Sequence, residues 1–207
     1  LQAAADKLKA AGDSVAVIAG SSMSTEDLFT LRQLAKGARL GAWAPTHAGA
    51  DIVAQAGVGK GTNLGKLGKG DAVFVIATDL EEEAPIWRLR IKHAKSRGAY
   101  VVVANARPTR MDDFASKTIH YQPGKVVDAL TELDAEVAGK LKDAANLVIL
   151  AGAEGLTLEG SRALMQTAAN FLIESGHVGK ANNGLIGVFP GSNAMGQYYT
   201  GFTPEAT

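Results

Sequence analysis

The 207-residue chain contains no cysteine. Disulfides, thiolate zinc sites and cysteine-held iron–sulfur clusters are therefore excluded within it, and the absence fits a reducing compartment. Neither charge is in surplus: 21 Lys and Arg stand against 21 Asp and Glu. Such a balance gives no bulk footprint for nucleic acid or for an anionic membrane. No apolar run reaches the ~18–20 residues of a membrane-spanning helix. Histidine is scarce as well. His47, His93, His120 and His177 lie far apart without ligand spacing, and read as helix-surface or strand residues rather than a metal site or part of a Ser-His-Asp arrangement.

What is present is globular: 46% hydrophobic residues and 24 glycines, many at the ends of apolar runs. The runs SVAVIA (14–19), AVFVIA (72–77), YVVVA (100–104), LVILA (147–151) and LIGVF (185–189) are short, rich in Val and Ile, and do not alternate with polar residues. That pattern predicts strands buried on both faces, hence a parallel sheet. RLGAW (39–43) and KTIHY (117–121) are weaker strand candidates. Between them lie helical patterns: QAAADKLKAAGD near the start, 25–36 behind Ser24 as cap, a helix opening at Pro85 and stopped by Gly98, 125–142, and one from Thr157 to about Gly176. Strand then helix, repeated, predicts an α/β fold: a doubly wound, mostly parallel, Rossmann-like sheet with helices on both faces. Residues 1–142 read as one such domain, and 143–207 as an additional strand–helix–strand unit extending it. The opening Leu1 in place of Met makes the chain read as a piece of something longer.

One loop invites a different reading. AQAGVGKGT (54–62) looks like a nucleotide-kinase phosphate loop. Such a loop needs a buried strand before it and a helix after it. Upstream, HAGADIVAQAG has helical spacing; downstream, Gly65, Gly68 and Gly70 interrupt any helix. The expectation is a flexible Gly- and Lys-rich connection into the strand at 72–77, with no ATP held by Lys60.

The stretch that follows, from GTNLGKLGKGDAVFVIATDLEEEAPIWRLRIKHAKSRG to AYVVVANARPTRMDDFASKTIHYQPGKVVDAL, resembles the molybdopterin-dependent oxidoreductase family. That family has a strand ending in Gly-x-Asn, a Pro-initiated helix, a second strand ending in Asp-Pro-Arg with a nearby Thr, and a Pro-Gly-Thr-Asp signature. VAVIAGSSMSTEDLFTLRQLAKG resembles its Gly-Ser turn and helix, and GSNAMGQYYTG (191–201) its Asn-rich loop. By order and spacing the chain is most similar to the family's branch in respiratory NADH:quinone oxidoreductase (complex I). There the G subunit keeps, in its C-terminal part, the molybdenum-enzyme fold of the formate dehydrogenase and DMSO reductase type.

The resemblance implies where a pterin dinucleotide would lie: Gly20, Ser21, Ser22, Thr78, Asp79, Asn105, Arg107, Thr109, Gly124 and Asn193, at strand-end loops. It also implies that these positions are vestigial. Gly-x-Asn is Ala77-Thr78-Asp79 here, followed by Glu81-Glu82-Glu83; Asp-Pro-Arg is Asn105-Ala106-Arg107; and the last two residues of Pro-Gly-Thr-Asp are Lys125 and Val126. No cysteine is present to ligate molybdenum, although a Ser or Asp ligand stays open. The implied role is a non-catalytic structural and docking domain with no cofactor of its own. Iron–sulfur clusters would lie elsewhere in the parent. Partners would be other parts of the same polypeptide and other members of the peripheral arm, on the cytoplasmic side, with no nucleic acid and no insertion into the membrane. Two other readings remain: a live molybdenum-enzyme domain holding molybdopterin guanine dinucleotide, and a stand-alone nucleotide-binding module resembling the central domain of thiamine-diphosphate enzymes.

Overall fold

The computed structural model describes residues 1–43 and 48–204, so His47 lies outside the described residues. The chain forms two compact units, Leu1–Ala48 with Pro190–Thr207, and Gly49–Phe189.

The first unit opens with helix α1 (Gln2–Ala11), which buries none of its residues, and a 3-10 turn (Gly12–Ser14). Strand β1 (Ala16–Ala19), helix α2 (Thr25–Leu34) and strand β2 (Arg39–Ala42) follow. Ser24 caps α2: its hydroxyl accepts the Asp27 N–H at 3.0 Å, with Glu26 and Asp27 in the first turn facing the helix dipole. β1 and β2 pair in parallel, Ala16 opposite Arg39. The run 14–19 predicts burial on both faces. Instead Ser14 belongs to the turn, and Ile18 is 59% exposed. The reason is topological. Among the described residues β1 pairs only with β2, and the core of Ala19, Leu28, Ala42 and Phe202 covers one side.

The second unit runs through α3 (Ala50–Ala56), a 3-10 turn (Leu64–Lys66), β3 (Ala72–Ile76), α4 (Leu80–Glu83), α5 (Pro85–Ser96), β4 (Tyr100–Asn105), β5 (Lys117–His120), α6 (Asp128–Thr131), α7 (Ala135–Lys142), β6 (Leu147–Ala151), α8 (Leu158–Glu174) and β7 (Gly184–Gly187). Its sheet has the order β5-β4-β3-β6-β7, every pair parallel. Side chains alternate across it. Phe74, Ile76, Val102, Ile149 and their neighbours pack under α3, α6, α7 and α8. Val73, Val75, Val101, Val103, Val148 and Leu150 pack under α5 and the 3-10 turn. Every residue of β3 and β6 is buried. This is the doubly wound α/β fold that the two-sided apolar runs predict.

Two expectations need correction. The helix over 125–142 is two helices, because the Asp134 carboxylate accepts the Val137 N–H at 2.8 Å and starts α7 afresh. And the Gly-rich loop after α3 is a packed connection. The Gly59 N–H donates to the carbonyls of Lys180 (3.1 Å) and Asn183 (3.3 Å), Gly57 bridges Leu185, and a Cβ at Gly59 would collide with the Lys180 backbone. These glycines serve close backbone approach. The loop follows a helix and leads into a 3-10 turn, so it lacks the setting of a phosphate loop, and Lys60 is exposed.

Last in the chain, α9 (Ala194–Tyr199) belongs to the first unit, where Gln197 Nε2 donates to the Ala19 carbonyl at 2.8 Å.

Candidate functional site

In an open parallel sheet, ligands lie beyond the carboxyl ends of strands where the strand order switches. In the second unit the chain proceeds from β3 outward to β5, then places β6 on the other side of β3. The switch therefore falls between β3 and β6. Three strand-end loops meet there, at 77–79, 105–107 and 152–154.

Backbone bonds zip these strand ends together. The Gly152 N–H donates to the Ile76 carbonyl (3.0 Å), the Glu154 N–H to the Ala77 carbonyl (2.9 Å) and the Ala77 N–H to the Ala104 carbonyl (3.0 Å). Gly152 is required by this approach, since a Cβ there would meet the Thr78 Cβ at 2.6 Å. Ala77 is fully buried with φ 54, a left-handed conformation that costs an L-residue about 1–2 kcal/mol.

The side chains are wired as closely. Asp79 caps α4 by accepting the Glu81 N–H at 3.1 Å. Its other oxygen pairs with the Arg107 guanidinium at 3.1 Å. On a second edge Arg107 Nε donates to Glu154 at 2.6 Å. Buried Asn105 donates to Glu154 at 2.9 Å, and buried Thr78 donates to Glu83 at 3.0 Å. The Glu154 hydrogen bond and charge, with those of Asp79, raise the Arg107 pKa. Desolvation is the main cause that lifts the Glu83 carboxyl above its ordinary value, against the Thr78 hydrogen bond. Glu83 as a residue is exposed, so this desolvation is local to its carboxyl beside Thr78.

Of the positions marked in the sequence, Thr78, Asp79, Asn105 and Arg107 come together here. Thr109 lies in the same loop but is committed to a turn, donating to Asp112 at 3.0 Å and accepting the Met111 N–H. In the first unit Gly20, Ser21 and Ser22 form the turn after β1. Asn193 joins them, its N–H donating to the Ser21 carbonyl at 2.9 Å and its Nδ2 to the Met23 carbonyl at 2.9 Å. Sequence reasoning missed Glu154. It sits three residues past a fully buried strand, which is a signal, but its meeting with Asn105 and Arg107 depends on β6 lying beside β3.

The whole chain, residues 1–207, matches the family model for molybdopterin oxidoreductase. The chain belongs to the molybdopterin oxidoreductase family. No curated protein matches it. No helix among the described residues is long and apolar enough to cross a membrane, and no group of three or more His, Cys, Asp or Glu that could hold a metal ion occurs among them.

Within this molybdopterin oxidoreductase domain, Gly124 is exposed with φ 84, free of crowding on its Cβ side. Val126, two residues on, is 3% exposed and part of the core under α8. Between them Lys125 is paired with Asp128 at 2.9 Å. Beside this loop an open cavity of about 650 Å³ is lined by Lys117, Tyr121, Gln122, Lys125 and Asp134, among others. The Tyr121 hydroxyl is buried without a hydrogen-bond partner. Burial, with a smaller contribution from the Glu154 charge, pushes its pKa up to about 12. His120 stands on β5 as expected, 3.3 Å from Asp112, and His93 on the surface of α5. His177 departs from expectation. It is buried in the turn after α8, 2.9 Å from the Ala144 carbonyl and 2.9 Å from the Ser175 hydroxyl, a structural staple.

Proposed function

We propose that this chain is a non-catalytic member of its family, a structural and docking domain in the molybdopterin-oxidoreductase-like region of an NADH:quinone oxidoreductase, in its G-type subunit. The order and spacing of the motifs support the placement in that branch. It would sit in the peripheral arm on the cytoplasmic side, against other parts of the same polypeptide and neighbouring members of the arm, with the iron–sulfur clusters elsewhere in the parent.

One observation carries the non-catalytic reading: Arg107 is held between Asp79 and Glu154 across the switch point. A diphosphate needs free backbone N–H groups and positive charge. Here the amides of Ala77, Glu81, Gly152 and Glu154 each reach an acceptor within the chain, and those of Thr78, Asp79, Ala106 and Ala153 are left as loop donors among the described residues, so the reading rests on charge. The cations nearest in sequence to the family's motifs are also engaged: Arg107 as described, Arg110 with Glu81 at 3.1 Å, Lys125 with Asp128. Asp79, Glu83 and Glu154 remain against the single Arg107. At ~4 Å and an effective dielectric of ~20, each carboxylate–phosphate pair costs about 4 kcal/mol before screening. Val126, a core residue, offers no acceptor to a guanine edge. The residues present do not fit the dinucleotide arm of the pterin cofactor.

Native mass spectrometry tests this on chain purified from cells that synthesise molybdopterin guanine dinucleotide. The expected mass is that of the polypeptide alone. A species heavier by the mass of the dinucleotide, lost on Arg107→Ala, would contradict the reading and favour a live cofactor domain.

A further inference from the structure

Electrical neutrality of the chain conceals one segregated face. Helix α5 with Arg97 carries Arg88, Arg90, Lys92, His93 and Lys95 and no carboxylate; residues 57–70 carry Lys60, Lys66 and Lys69 and again none. The two segments pack together. The Arg97 guanidinium donates to the Leu67 carbonyl at 2.9 and 2.6 Å, and Lys69 lies against Gly98. Arg88 turns inward toward Glu81 and the Phe114 ring, and Lys95 donates to Ser116. That leaves Lys66, Lys69, Arg90 and Lys92 exposed, with Lys60 earlier in the same loop, none within ion-pair distance of a carboxylate among the described residues. The nearest acid in sequence to the two lysines, Asp71, is occupied by the Gly68 N–H and Asn146 Nδ2. Elsewhere in the unit Arg107, Arg110, Lys117, Lys125, Lys140 and Arg162 have acidic partners, while Lys142 lies over the Phe171 ring and Lys180 donates to the Gly176 carbonyl.

Two large apolar side chains stand on the same face. Ile86 is 65% and Leu89 46% exposed, while Ile91 and Ala94 on the opposite face are buried. Positions 86, 89 and 93 follow helical spacing, which puts Arg90 on one flank of that stripe and Lys92 on the other.

We propose that the outer face of α5, with Lys66 and Lys69, is a docking surface for a partner protein that presents acidic side chains around an apolar contact. This names the chemistry of the docking partner and rests on the docking role proposed above. An apolar centre with a charged rim is the anatomy of a protein interface. Unpaired like charges repel one another until an acidic partner arrives, and long-range attraction then guides its approach. Nucleic acid would not need Ile86 and Leu89. A membrane surface would call for a broader apolar face than two side chains on a helix whose opposite side is in the core.

The test uses the whole chain and a synthetic peptide of repeated Glu-Leu-Glu-Glu-Leu, titrated by calorimetry at low and physiological salt, beside duplex DNA and phosphatidylglycerol vesicles. Circular dichroism checks that each variant is folded. The peptide is expected to bind most tightly, and Arg90→Glu with Lys92→Glu to weaken it by about tenfold or more at low salt. Ile86→Ser with Leu89→Ser weakens the peptide and leaves residual DNA binding unchanged, and Lys7→Glu with Lys9→Glu in α1 changes neither. Peptide binding that survives the charge reversal, or tighter binding to DNA or vesicles than to the peptide, overturns the proposal. Dinucleotide bound at the strand ends would overturn the non-catalytic reading while leaving this surface intact, so the two failures are distinguishable.

Discussion

Two residues beside the strand ends carry conditions that substitution can expose. Gly152 has no room for a side chain, because the Ala77 carbonyl and Thr78 Cβ occupy the space. Gly152→Ala is therefore expected to destabilise by about 1–3 kcal/mol in urea denaturation, and an unchanged midpoint would contradict the zipped strand ends. Ala77 is the more ambiguous neighbour. Relief of its left-handed backbone (~1–2 kcal/mol) is offset by glycine entropy (~0.5–1 kcal/mol) and a lost buried methyl (~0.8 kcal/mol), so Ala77→Gly should be close to neutral. Tyr121 adds a pH dependence. Its folded pKa of about 12 lies above the ordinary 10.0. The corresponding stability is fully present below pH ~10 and is lost as pH rises through ~12, roughly 2–3 kcal/mol in all. Tyr121→Phe lacks this alkaline loss and at pH 7 equals or slightly exceeds the parent, since it removes a hydroxyl without a partner. Parallel pH profiles for the two proteins would show the phenol to be solvated.

At the scale of elements, caps decide more than propensity. Thr157 is legible in the sequence as the start of α8, and its hydroxyl accepts the Gly160 N–H at 3.1 Å. Thr157→Ala should cost about 1 kcal/mol by thermal denaturation, and no shift in midpoint would mean that packing alone fixes the helix start. Asp134 is equally available as a cap, but the apolar spacing of 125–142 runs through it and reads as one helix where α6 and α7 stand. Strand reading succeeds wherever both faces are apolar, as in β3, β4 and β6. It overreaches for β1, whose Val-Ile run looks the same as theirs. The run tells what a strand could bury; the number of neighbouring strands tells what it does bury, and that is a long-range property.

For the molecule as a whole, the parallel sheet and the strand-end placement of Thr78, Asp79, Asn105 and Arg107 can be read locally, because each follows its own apolar run. The partner that holds Arg107 cannot. Glu154 lies 47 positions away, and only the order β5-β4-β3-β6-β7 brings it across. The phosphate-loop likeness of 54–62 fails for the complementary reason: Gly57 and Gly59 answer to residues 180–185, distant in sequence and adjacent in space. At the switch point Arg107 lies between Asp79 and Glu154; on the non-catalytic reading proposed above, these acids stand where a dinucleotide would need positive charge. The decisive measurement is a calorimetric titration with molybdopterin guanine dinucleotide, run on the parent and on Asp79→Asn with Glu154→Gln, which releases Arg107. The parent should show no binding at micromolar or tighter affinity, and any gain should appear only in the released variant. Micromolar binding by the parent, weakened by Arg107→Ala, would mean that the crevice is alive and that its acids do not close it.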